Sequence, residues 1–185
     1  MKALTLTQPW ATLVALGEKR IETRGWSTKY RGEIAIHAAK NFPLEPREIC
    51  REKPFLPVLT KAGLDLYDQF PLGKVIAVAV LVNVQKIQHA PEKHIGYQWE
   101  GLGGTKYEFP LTPQERAFGN HTPGRYAWMF DRVTVVLPSP VPARGALSLW
   151  NWPLPVCLVC TWRGKIELNN GICPQCEHDW KADGL

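Results

Sequence analysis

Two groups of residues have the types and spacing to do chemistry. The first is Cys157-Leu158-Val159-Cys160 with Cys173-Pro174-Gln175-Cys176, two CxxC pairs separated by 12 residues. Each pair presents two sulfurs on one tight turn, and two such turns supply the tetrahedral four-sulfur shell that Zn²⁺ favours. The segment between them suits a hairpin, with Asn170-Gly171 as turn punctuation. The spacing therefore predicts a zinc ribbon holding one structural zinc. A unit of about thirty residues cannot fold on a core alone, and the metal supplies the missing stability. Two redox dithiols, or iron in place of zinc, are the alternatives. His178 is read as solvent-exposed, with replacement of a sulfur as its alternative. A closed four-sulfur shell has no position for water, so no catalysis is assigned to this metal.

The second group is Gly17-Glu18-Lys19-Arg20-Ile21-Glu22-Thr23-Arg24, a G-x-K-x-x-E-x-R pattern. Read as a helix end followed by a strand, it points Glu22 and Arg24 the same way, where they can pair. Lys19, at the junction, projects toward the same space. Residues 17 to 40 carry six Lys/Arg against three acids, interleaved with Trp26 and Tyr30. Basic residues among aromatics suit phosphate contact and base stacking. The plainer alternative is a solvated face with one surface ion pair. His37 faces a cleft or solvent if Ile34 and Ile36 face the core. There it would hydrogen-bond a base or act as acid/base, or else serve as a structural histidine bonded to backbone. Trp26 and Trp99 lie in loop-like sequence and are read as exposed stacking residues, whereas Trp10, Trp128, Trp150 and Trp152 belong to the core or a cleft wall. Arg144, after a proline-rich turn, is a candidate phosphate contact beside Arg24 and Arg31.

The elements that must position these groups are short. Gln8-Pro9-Trp10 leads into a helix that Gly17 ends, with Trp10, Leu13, Val14 and Leu16 as its apolar face. Residues 33–40 alternate as a strand, and residues 44–62 read as helix in two pieces broken by Pro54 and Pro57. Val75 to Val82 is an unbroken apolar run, a strand buried on both faces. Residues 87–110 are polar, Gly-rich and irregular, a long functional or mobile loop. Thr112-Pro113-Gln114-Glu115 is a capping box that starts a short helix. A further strand runs from Tyr126 to Leu137, with Trp128, Phe130, Val133 and Val135 as core, and the prolines of 138–142 extend the chain beyond it. Short strands with short helices between them suggest a mixed β-barrel, not an alternating parallel sheet. Residues 1–152 form that domain and residues 153–185 the ribbon.

The totals agree with a folded chain. Of 185 residues, 45% are apolar, enough for a core, and 21% are charged with mixed sign, too few for disorder. The formal charge is +5. Four thiolates and one Zn²⁺ would leave about +3, a bias that permits a polyanionic partner without demanding one. No secretory signal and no long apolar span is apparent, and Cys50 stands alone, so a cytoplasmic protein without a membrane partner is expected.

Five pieces, taken together, resemble the ASCH family of small PUA-like β-barrels. They are Leu6-Thr7-Gln8-Pro9-Trp10, the Gly17 to Arg24 motif, Tyr30-Arg31-Gly32 with Ile34 to Lys40, Gly124-Arg125-Tyr126-Ala127-Trp128, and Pro142 through Trp150-Asn151-Trp152. They occur in family order over residues 4 to 152, and the zinc ribbon lies outside them. The resemblance implies an α+β, PUA-like barrel with a cleft near the motif, and RNA or a modified nucleoside as ligand. Lys19, Glu22, Arg24, Trp26, Arg31, His37 and Arg144 are the expected contacts. Some relatives are enzymes. One bacterial branch removes the acetyl group from N4-acetylcytidine with a lysine and a threonine of this segment and a distant glutamate; another relative is described as a ribonuclease. Lys19 falls on that lysine, but Glu22 stands at the threonine position, and Thr23 would alternate to the opposite face. An RNA-directed hydrolase with Lys19 as base and Glu22 orienting it or a water is thus the alternative to a binding module. A protein-interaction adaptor docking through the ribbon is the third reading.

Overall fold

The computed structural model describes residues 1–88, 96–100 and 106–153. Cys157, Cys160, Cys173, Cys176 and His178 lie outside the described residues.

Six strands form one mixed sheet in the order β2-β7-β4-β3-β1-β8. They are β1 (Lys2–Leu6), β2 (Ile21–Arg24), β3 (Gly32–Ala38), β4 (Lys74–Lys86), β7 (Tyr126–Pro142) and β8 (Leu149–Asn151). β1 and β3 run parallel, with Leu4 opposite Ile36, and every other pairing in this sheet is antiparallel. β4 and β7 change register at several points. Such irregularities bend and twist a ribbon, and the sheet curls into a half-barrel. The mixed architecture with short helices is the expected one, with β2 and β8 as its two edges.

The first helix, α1 (Trp10–Ala15), lies across the sheet. Buried Gln8 holds its start: the side-chain oxygen accepts from Thr12 N at 3.1 Å, and the amide nitrogen donates to Pro71 O at 3.0 Å. Gly17, with φ +75°, ends it as expected. Leu13 and Val14 are buried, but Leu16, the residue that caps the helix just past its last turn, is 43% exposed and not part of the expected apolar face. Ile34, Ile36 and Ala38 pack with α1, Trp128 and Phe130 in the main core, while Ala35 packs on the opposite face with Ala3, Val75 and Trp152. β3 is therefore buried on both faces.

Residues 44–62 form α2 (Leu44–Ile49) and α3 (Phe55–Lys61). Pro54 marks the break, but Pro57 sits in the first turn of α3, where an N–H has no helical acceptor to lose. The expected loop at 87–110 contains a hairpin, β5 (Gly96–Glu100) with β6 (Lys106–Pro110). Tyr97 and Phe109, opposite one another, are buried against Ile21, Ile87, Ala127 and Met129. α4 (Pro113–Ala117) starts as predicted, with Thr112 Oγ1 accepting from Glu115 N at 3.1 Å. β7 extends to Pro142, through the prolines expected to lie beyond it.

Candidate functional site

β2 alternates as the motif requires. Ile21 and Thr23 are buried, while Glu22 and Arg24 share the other face. Arg24 Nε lies 3.1 Å from Glu22 Oε1, as an ion pair whose N–H is not aimed at the oxygen. Arg24 Nη2 donates to Thr5 O at 2.8 Å, which fixes the guanidinium against β1.

Lys19 is 1% exposed. Its Nζ donates to Ile21 O and lies 3.6 Å from Glu22 Oε2 and 3.9 Å from Glu115 Oε1. The chain of charges thus runs Glu115, Lys19, Glu22, Arg24, two negative and two positive. Such compensation is what lets charged groups sit out of water.

Glu115 was missed by sequence reasoning, because the capping box already explained it. Its carboxylate does not return to the Thr112 cap. It accepts from Arg20 N and Ile21 N, each at 2.9 Å, and so fastens α4 to the motif. Burial pushes its carboxyl above the usual range, opposed by the Lys19 charge and then by those two N–H donors. Behind it, Tyr97 Oη and His121 Nδ1 are 3.1 Å apart, and His121 Nε2 donates to Glu115 O at 3.3 Å. Burial, and then the Glu115 charge, push the Tyr97 phenol up. The unforeseen hairpin therefore props the motif from behind.

Glu22 and Arg24 line a cleft of about 390 Å³. Trp10 and Phe55 contribute aromatic surface, and Thr5, Phe118 and Gly119 complete much of the wall. A Cβ on Gly119 would come within 2.9 Å of His121 Nε2 and 3.2 Å of Lys19 Nζ, so glycine is needed for this close approach. Lys19 is not among the lining residues. It stands behind the cleft wall and holds Glu22, buried instead of lining the hollow as the expected ligand contact would.

The remaining expected contacts disperse. Trp26 is half-buried, its ring packed edge-to-face on Trp128 at 4.6 Å, so it is not a free stacking platform. Arg31 is exposed and donates to Thr28 O, Tyr30 O and Asn83 Oδ1, away from the cleft lining. His37 is buried, with Nε2 donating to Ala143 O at 3.1 Å and Nδ1 3.2 Å from Thr5 Oγ1. This is the structural alternative for His37, and burial holds the imidazole below its ordinary pKa. With Arg144, His37 lines a different and larger hollow.

Among the described residues, no cluster of three His, Cys, Asp or Glu side chains could hold a metal ion, and no helix is long and apolar enough to cross a membrane.

Comparison with known proteins places this geometry in a family. Over 80 residues the chain is 30% identical to activating signal cointegrator 1 of Homo sapiens and to its counterpart of Mus musculus. The matched stretch is 43% of this chain and 14% of each relative, so the chain spans only a small part of their length. The ASCH domain pattern itself matches residues 4–138, from β1 through the motif, Glu115 and most of β7. On that match the chain belongs to the ASCH domain family.

Proposed function

We propose that this ASCH domain binds RNA and takes one base, or a modified nucleoside, into the cleft beside Glu22 and Arg24. The observation that carries this reading is the pairing of acceptor and donor on one cleft wall, backed by a buried cation. A carboxylate accepts from an exocyclic amine such as that of cytosine, and a guanidinium donates to ring and carbonyl acceptors. Half-buried Trp10 offers apolar ring surface on which an unpaired base packs, with buried Phe55 set edge-to-face against it. Lys19 acts here as a positioning residue, keeping Glu22 in place without touching the ligand. Fluorescence anisotropy of a labelled octacytidylate tests the reading: affinity falls as salt rises. Glu22→Gln, which keeps the shape and removes the charge, weakens binding by about 1–3 kcal/mol. Undetectable RNA affinity at low salt would overturn the proposal.

The hydrolytic reading gains nothing from the surroundings of Lys19, whose Nζ faces a carbonyl and two carboxylates instead of the cleft. Incubation with RNA and with N4-acetylcytidine, followed by product analysis, separates the two: a product lost in Glu22→Gln would make this an enzyme.

We further propose that Cys157, Cys160, Cys173 and Cys176 hold one structural Zn²⁺, on the support of their spacing alone. Metal analysis of the purified chain then finds about one zinc per molecule, lost in Cys160→Ser/Cys173→Ser. A chain ending at 152 that keeps its RNA affinity assigns the ribbon to a protein contact; a weakened one assigns it to the RNA surface.

A further inference from the structure

A second concavity, about 960 Å³, shares Thr5 with the motif cleft. Three of its lining residues are cations from three separate segments: Lys40 after β3, Lys74 at the start of β4, and Arg144 after β7. None of its lining residues is acidic. Lys40 and Arg144 are exposed and Lys74 is half-buried. Among the described residues, the ion pairs of this protein lie elsewhere, around Lys19, Arg20 and Arg24. Three like charges around one hollow repel one another, and a bound polyanion relieves that repulsion.

The hollow also has a firm floor. His37 is held by Ala143 O and the Thr5 hydroxyl, and Thr5 Oγ1 accepts in addition from Trp150 Nε1 at 3.1 Å. Because burial disfavours the imidazolium, His37 adds shape at neutral pH and no charge. The cations are therefore the three on the rim. Their spread over separate segments, and a volume far beyond one phosphate, fit a chain of anions better than a single one.

We infer that this hollow carries the sugar-phosphate backbone of an RNA strand whose base occupies the adjoining motif cleft, with Lys40, Lys74 and Arg144 neutralising its phosphates. The inference rests on the nucleobase reading of that cleft and extends it from one base to a strand.

The test compares two triple variants. Lys40→Ala/Lys74→Ala/Arg144→Ala removes the rim cations. Lys53→Ala/Lys61→Ala/Lys86→Ala removes the same charge from exposed positions outside both hollows. Anisotropy titrations with labelled octacytidylate over a range of KCl give the salt slope, and calorimetry with cytidine reports on the cleft alone. Each lost phosphate contact on a single strand reduces the slope by about 0.7, so the rim variant loses about 2. Its octacytidylate affinity drops at least ~10-fold at low salt, while its cytidine affinity is unchanged. The control variant keeps most of its slope.

An unchanged slope in the rim variant, or equal losses in both variants, overturns the backbone groove and leaves the base cleft standing. If octacytidylate binds through the rim cations but cytidine does not bind at all, the groove survives as a polyanion site and the base cleft falls. If wild-type protein binds neither probe, both are rejected.

Discussion

Lys19→Met lowers the free energy of unfolding by about 3–5 kcal/mol at neutral pH, and by much less near pH 5. The methionine fills a similar volume, so the loss comes from charge. Without the ammonium, Glu22 and Glu115 are left facing each other across a site where both are largely buried. The pH dependence follows from Glu115. Burial already raises its carboxyl in the fold, and removing Lys19 removes the largest opposing influence. A carboxyl whose folded pKa lies above its unfolded value contributes stability below the unfolded value, and that contribution is lost as pH rises through the folded one. The variant therefore regains stability as pH falls, because folded Glu115 takes up its proton at a higher pH than the unfolded chain does. Urea unfolding at pH 7.5 and pH 5 measures this. An equal deficit at both pH values would mean that packing, not charge, explains it.

Glu115→Ala destabilises the domain by about 2–4 kcal/mol, since it strips the acceptors from two backbone donors and one partner from a buried cation. The Ile21 N–H is buried, and truncation at 115 leaves it no other acceptor within the described contacts. Glu115→Gln should lose roughly half as much, because one amide oxygen still accepts while its NH₂ opposes the second donor. Both variants also weaken octacytidylate binding, because Arg20, Ile21 and with them Glu22 lose their anchor to α4. Thermal unfolding monitored by circular dichroism ranks the three proteins. A Glu115→Ala protein as stable as the parent would remove Glu115 from the support of the motif.

The legible parts of this fold are those in which a local signal coincides with the final environment. β4 is written as an unbroken Val/Ile/Ala/Leu run because both its faces are covered. The α4 start reads from Thr112-Pro113 because the cap closes within four residues. The hairpin strands β5 and β6 were overlooked although they alternate: Tyr97-Gln98-Trp99-Glu100 and Lys106-Tyr107-Glu108-Phe109 place an aromatic at every second position, in runs too short to stand out from the polar, Gly-rich sequence around them.

In the site, the pairing of Glu22 and Arg24 follows from strand period alone. The burial of Lys19 does not, because its second carboxylate arrives from residue 115. His37 was undecidable from alternation, since β3 is covered on both faces by residues distant in sequence. Trp26 has the surroundings of a loop residue, yet the Trp128 ring lies against it and Trp128 Nε1 donates to its carbonyl.

The pairing of β1 with β8 has a bearing on how the chain is made. Lys2 is synthesised well before Asn151, yet they are neighbours across a ladder. During synthesis β3 can cover one side of β1 after some thirty residues, while the other side waits for nearly the whole domain to leave the ribosome. Until then β1 presents a bare row of amides and carbonyls, the surface on which nascent chains stick to one another. Cutting the chain at 138, where the family match ends, would make that transient exposure permanent.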